Sequence, residues 1–337
     1  ILSVAPVNVL AKPDAKIVQS EPEEVYVDII GEGQRSTLFN ENWKFHRGDV
    51  ENAQDVNYND TTWENINLPH DYSIDQEFTT SGEAESGFLP GGVGWYRKSF
   101  VVPEKYKDKQ LMVEFDGAYM NAEVYLNGKK LGDHPYGYTA FAFDLTDGLI
   151  CDGKTENVLV VKTNNQIPSS RWYSGSGIYR DVTLTVTDDV HVGYNGTQII
   201  AQDLEANKNG TVEVDITTTV ENDSDTTKTV TVKNTLLDEN GKVASNTTTS
   251  QVEIAADSTQ DIEQSVNVEK PELWSVDDAN MYKMKTEIVE NDEVLDTYET
   301  DYGFRYYNFD KDTGFSLNGE KMKLKGVSMH HDQGSLG

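Results

Sequence analysis

A single cysteine, Cys151, stands among 337 residues, which excludes an intrachain disulfide and any metal cluster built on cysteines. Positive charge is also scarce. The chain holds 28 Lys+Arg against 58 Asp+Glu, for a formal net charge of −30. Nucleic acids and anionic membranes both demand Lys/Arg patches, so this balance argues against them as partners. No window approaches the ~20 apolar residues of a helical membrane span. No long stretch repeats its apolar residues every 3.6 positions, so long amphipathic helices are not expected either.

What the chain does have is alternation. Leu111, Val113 and Phe115 fall on one face, as do Ala122, Val124 and Leu126. Val182, Leu184 and Val186 repeat the pattern, and so do Val212, Val214, Ile216 and Val220. A period of two predicts half-buried strands. Asn-Gly pairs at 127–128, 195–196, 209–210, 240–241 and 318–319 tolerate positive φ and predict tight hairpin turns. Seventeen Tyr, 11 Phe and 5 Trp are too many for a disordered chain. At ~150 residues per domain the length suggests two domains or three small ones.

Composition divides the β region. Residues 36–187 hold most of the aromatics and suit a two-sheet jelly roll. Residues 188–305 are rich in Thr, Val and Asp and fit an immunoglobulin-like sandwich. From residue 306 a hairpin is expected to lead into a buried strand, Leu324–Met329. Residues 1–35 read as a leader or linker. Their opening, ILSVAPVNVLA, fits the tail of a signal peptide with Val9 and Ala11 before a cleavage site. It fits an apolar linker equally, because no basic stretch precedes it. The start at Ile1 and the stop at Gly337 read as those of a fragment.

Four clusters are candidates for chemistry. His330-His331-Asp332 ends the last expected strand and could ligate a metal, move protons or hold a ligand; it could also be a polar loop. Metal is the weaker of the functional readings, since adjacent residues of a strand point to opposite faces. The segment 168–180 sets Arg171 among Trp172, Tyr173 and Tyr179. Aromatic planes beside arginine suit sugars, although Trp172 and Tyr179 could be core residues instead. In the loop LPHDYSID (68–75), Asp71 could accept hydrogen bonds from a ligand or cap a turn. Gly91-Gly-Val-Gly94 lacks phosphate-loop spacing and precedes a strand, so close backbone approach is its expected role. The sequons at Asn195 and Asn246 carry little weight in a Thr-rich chain.

Taken together, FNENWKFHRGD (39–49), TTWENINLPHDYSID (61–75), GGVGWYRKSF (91–100), YLNGKKLG (125–132), SSRWYSGSGIYRDVTL (169–184) and GFSLNGEKMKLKGVSMHHDQGSLG (314–337) resemble glycoside hydrolase family 2, in the family's order. Within that family the resemblance is to secreted bacterial β-galactosidases. It implies a mostly β chain: a jelly-roll sugar-binding domain, an immunoglobulin-like β-sandwich, and the first strand of a truncated TIM barrel. It implies that Asp71, Arg171, His330 and Asp332 face substrate, with His330 and Asp332 at the C-terminal end of barrel strand one. The family often has Asn where Ser328 stands. Family members cleave β-glycosides with two glutamates from later barrel strands, about 5–5.5 Å apart in retaining enzymes. A barrel needs about 250 residues, so no catalytic residue is expected in this segment, which alone should be inactive. The residues present imply no cofactor and no metal site, and a metal ion in the rest of the barrel is compatible with the resemblance. The partner implied is a β-galactoside. A β-glucuronidase or β-mannosidase of the same architecture, or a non-catalytic carbohydrate-binding surface protein, are the alternatives. The location implied is secreted or cell-surface, in a bacterium.

Overall fold

The computed structural model describes residues 34–80 and 82–328. Antiparallel sheets dominate, and the only α-helix among the described residues is the single turn Leu204–Asn207. The N-terminal sandwich has two sheets. In the larger, Glu64–Ile66, Trp43–Arg47, Gly92–Val101, Glu156–Asn165, Ala122–Leu126 and Lys129–His134 lie side by side in that order. In the smaller, the order is Ser36–Leu38, Val182–Thr187, Gln110–Phe115 and Phe141–Asp144. Apart from the hairpin Ala122–Leu126 and Lys129–His134, most neighbours in both orders come from distant parts of the chain, as a jelly roll requires.

The alternating residues make the core. Leu111, Val113 and Phe115 are buried, and they pair with Val186, Leu184 and Val182, also buried. Ala122, Val124 and Leu126 close the same cluster from the facing sheet, with Trp43, Tyr96 and Phe100. Each fully buried side chain of this size contributes about 1.5–3 kcal/mol. The glycines of 91–94 do allow close approach. A side chain at Gly94 would meet the Tyr72 ring at 2.5 Å.

A second sandwich follows. Val190–Ala201, Thr211–Asn222 and Ser258–Glu269 form one sheet. Val243–Thr248, Lys228–Leu237, Tyr282–Glu290 and Glu293–Tyr302 form the other, with Val252–Ile254 beside Lys228–Leu237. Val212, Val214, Ile216 and Val220 all point into it. Polar bonds tie the two sandwiches together. Arg35 pairs with Asp296 at 3.0 Å, Gln110 Nε2 donates to Asp189 at 2.9 Å, and Tyr194 Oη donates to Glu114 at 2.6 Å.

The last described elements are the short strands Tyr307–Asp310, Gly314–Leu317 and Glu320–Lys321. Three strands this short cannot bury a face of their own. Tyr307, Phe309 and Leu324 stay exposed, beside a groove shared with Trp274 and Val276. Of the strand expected over Leu324–Met329, residues 324–328 form none, and Met329 lies outside the described residues. Residues 322–328 carry no ladder, because no neighbouring strand pairs with them among the described residues.

Candidate functional site

The loop 68–75 crosses one end of the N-terminal sandwich and is sewn to the segment 173–178. The backbone N–H of His70 donates to Ile178 O at 2.8 Å, and that of Tyr72 to Ser176 O at 2.9 Å. Asp71 sits between these two bonds, half-buried. Its Oδ1 accepts from the backbone N–H of Ser73 and of Ser176, both at 2.9 Å. Its Oδ2 accepts from Tyr173 Oη at 2.5 Å. The Ser73 bond is a turn cap, one of the two roles expected of Asp71. The Ser176 and Tyr173 bonds reach across more than 100 residues and join two loops.

Beneath the carboxylate lies a polar network. Ser73 Oγ is 2.7 Å from Ser176 Oγ and 2.9 Å from Pro90 O. Asn165 Nδ2 donates to Ser176 Oγ at 2.8 Å and to Gly175 O at 3.0 Å. The serines and Asn165 are buried, and these bonds fix one loop geometry, although Asn165 Oδ1 has no partner among the described residues. Gly177 is required by the same packing. It has φ +121, and a Cβ there would meet Tyr96 Oη at 2.2 Å.

Aromatic groups hold the loop from the other side. Tyr72 Oη donates to Gly92 O at 2.9 Å. Burial pushes the Tyr72 phenol up to about 12, and burial raises the Tyr96 phenol further, so both stay protonated. Burial lowers His70, whose Nδ1 lies 2.9 Å from Tyr96 Oη. The surroundings of Asp71 present fixed donors, acceptors and rings, which suits holding a ligand.

Of the four residues expected to face substrate, the structure describes two, Asp71 and Arg171. Arg171 is exposed and makes no ion pair among the described residues. It lies two residues before Tyr173, which bonds Asp71. His330 and Asp332 lie outside the described residues. In the segment 168–180 the buried aromatic and aliphatic residues are Tyr173 and Ile178. Trp172 and Tyr179, weighed as core residues from the sequence, are only partly buried. The partners of Asp71 were not visible in the sequence. The one available signal was the run Ser174-Gly-Ser-Gly177, whose small residues admit a close second loop.

A separate titratable group occupies the junction of the two sandwiches. His191, Glu221 and Asp223 offer ligand atoms within 4.8 Å of one another, the kind of set a divalent cation uses. They also answer one another without an ion. His191 Nε2 is 3.5 Å from Glu221, and Nδ1 is 3.1 Å from Asp188 O and 3.6 Å from Asp223. Burial lowers the imidazole's pKa, but the Glu221 bond and the Asp223 charge outweigh it and leave it raised. The bond to His191 lowers Glu221 in return. A raised imidazole stabilises fully below its unfolded value of about 6.5 and loses that contribution as pH rises through the folded value. A lowered carboxylate contributes above its unfolded value of about 4.3 and loses it as pH falls through the folded one. Burial raises Asp223, whose charged form opposes the trend at higher pH. A His191→Gln variant is thus expected to lose most melting temperature between about pH 4.5 and 6.5, and progressively less as pH rises through the raised imidazole value. Melting curves across that range check it, and a deficit independent of pH would contradict it.

Comparison with known proteins agrees with this layout. Residues 48–188 match the family described as "Glycosyl hydrolases family 2, sugar binding domain". Residues 197–305 match "Glycosyl hydrolases family 2". A protein of Bacteroides ovatus named "Beta-galactosidase BoGH2A" is 41% identical over 302 residues, covering 89% of this chain and 35% of that protein. A "Beta-glucuronidase" of Formosa agariphila is 32% identical over 324 residues, covering 89% of this chain and 32% of that protein. A crystal structure of a glycosyl hydrolase family 2 member from Bacteroides cellulosilyticus superposes with a TM-score of 0.84 at 34% identity, over 90% of this chain and 40% of that one. The chain thus spans about a third of the length of these curated relatives.

Proposed function

Since the chain belongs to glycosyl hydrolases family 2, we propose that it is the sugar-binding part of a retaining β-galactosidase that removes terminal β-linked galactose. The observation that carries the reading is the 41% identity to a β-galactosidase across nearly the whole chain. The Asp71 loop is consistent with it, because its donors, acceptors and rings are fixed before any ligand arrives. In this reading Asp71 and Arg171 hold sugar hydroxyls, and His330 and Asp332 join them from the loop after the first barrel strand. Their binding energy favours the transition state, while two glutamates elsewhere in the protein perform the displacement. The protein acts outside the cytoplasm, at the cell surface or in the medium.

A β-glucuronidase is the second reading. It is favoured by the glucuronidases among the relatives and by Arg171, an exposed cation able to meet a substrate carboxylate.

A retaining galactosidase forms a covalent galactosyl-enzyme, which a 2-fluoro-galactosyl fluoride traps. Intact-mass measurement should show one such adduct on the full-length protein and none on this chain. An adduct only with the corresponding glucuronyl reagent would replace the first reading by the second.

A further inference from the structure

The end of the sandwich that holds Asp71 also carries aromatic rings that the Asp71 network does not use. Tyr136 is 57% exposed and Tyr138 is 36% exposed. Both rings nonetheless pack against a neighbouring ring. Tyr138 packs edge-on against Tyr119, with centroids 5.1 Å apart, and against Tyr136 at 5.8 Å. The indole N–H of Trp172 donates to Tyr138 Oη at 2.9 Å. Tyr179 Oη donates to Gly137 O at 2.8 Å and so pins the loop between the two exposed rings. Tyr119 exchanges two backbone hydrogen bonds with Gly177, each 2.8 Å. Burial pushes the Tyr138 phenol up to about 12, so the ring stays neutral. Trp172 is the residue before Tyr173, and Tyr173 bonds Asp71. The ring group therefore adjoins the Asp71 loop through one peptide link.

Exposed ring faces with hydrogen-bonded edges suit a ligand that is apolar on one face and hydroxylated at its rim, and a pyranose has that form. Rings already packed on a neighbour lose less entropy when a ligand stacks on them.

We propose that Tyr136, Tyr138 and Trp172 form a stacking platform for the sugar unit adjoining the terminal one, on the aglycone side of a β-linked oligosaccharide. The platform rests on the reading that Asp71 holds the terminal sugar. It gives the enzyme a preference for oligosaccharides over glycosides with a small leaving group.

The test uses the full-length protein and two substrates, β-galactosyl fluoride, which has no second sugar, and a β-linked galactobiose. Tyr136→Ala should lower kcat/KM for the disaccharide about five- to tenfold and leave that for the fluoride unchanged. Tyr136→Phe, which keeps the ring, should match the wild type on both. Equal effects of Tyr136→Ala on the two substrates, or none on either, would overturn the platform. If the wild type hydrolyses only glucuronides, the galactosidase reading fails. The same comparison with glucuronyl fluoride and a glucuronyl disaccharide then decides the platform separately. A wild type inactive on both series overturns both.

Discussion

Asp71→Ala in the full-length protein is expected to lower kcat/KM for β-galactosides about 5- to 150-fold, the cost of one lost hydrogen-bond partner at a buried sugar hydroxyl. A carboxylate offers about four acceptor sites, and Tyr173, Ser73 and Ser176 take three of them. The fourth is free to meet a sugar hydroxyl. If that contact tightens as the bond breaks, kcat falls together with kcat/KM. The same substitution strands two backbone N–H groups and a phenol, so stability should drop by about 1–3 kcal/mol as well. The two effects separate experimentally. Kinetics on the folded fraction report sugar binding, and melting temperature reports the loop. Lost stability with unchanged kinetics would reduce Asp71 to a pin between two loops.

Arg97→Met should destabilise the N-terminal sandwich by about 3–5 kcal/mol. Arg97 lies in the strand Gly92–Val101 and is 2% exposed. Its Nε pairs with Asp60 Oδ2 at 2.9 Å, and its Nη1 donates to Asp55 O at 3.1 Å and also to Ala53 O. One guanidinium thus anchors the whole irregular stretch 53–60 against the sheet. Methionine fills most of the volume but leaves Asp60 with only the longer Lys44 contact at 3.6 Å, and the carbonyls of Ala53, Asp55 and Val56 without the guanidinium donor. In a domain of this size the loss corresponds to roughly 10 °C in Tm. A calorimetric scan of this chain measures it, and a shift under about 2 °C would show that water replaces the guanidinium.

Much of the fold was legible because a strand's face is written every second residue. Leu111, Val113 and Phe115 alternate in the sequence, and the structure buries that face. Turn dipeptides were legible only in part. Asn127-Gly128 and Asn318-Gly319 close hairpins with both residues at positive φ. Asn195 also has positive φ, 52°, yet it lies inside the strand Val190–Ala201, where the register slips between Val192 and Thr197. The local preference was the same, and long-range pairing decided between hairpin and bulge. The expected strand from Leu324 rested on apolar content, which cannot supply the neighbouring strands a ladder needs.

The site was less legible than the fold. Asp71 stood out as a carboxylate in a Pro-containing loop, but nothing local named Tyr173 or Ser176 as its partners. Those contacts exist because Trp43–Arg47, Gly92–Val101 and Glu156–Asn165 are neighbours in one sheet, which brings the loops at their ends together. In the segment 168–180 the sequence offered nine polar or aromatic side chains without a period. The inward residues, Tyr173 and Ile178, were set by the cross-loop bonds and not by alternation. The same sheet order that hides the site from the sequence also explains its rigidity.

The central claim is that this sugar-binding domain serves an enzyme of terminal β-galactosides. Its most direct test is the ratio of kcat/KM for an aryl β-galactoside to that for the matching aryl β-glucuronide, measured on the full-length protein under one set of conditions. A site built for the neutral hydroxymethyl group leaves a carboxylate unpaired, so the ratio should exceed about 100. A ratio below one would contradict the account and assign the chain to a β-glucuronidase.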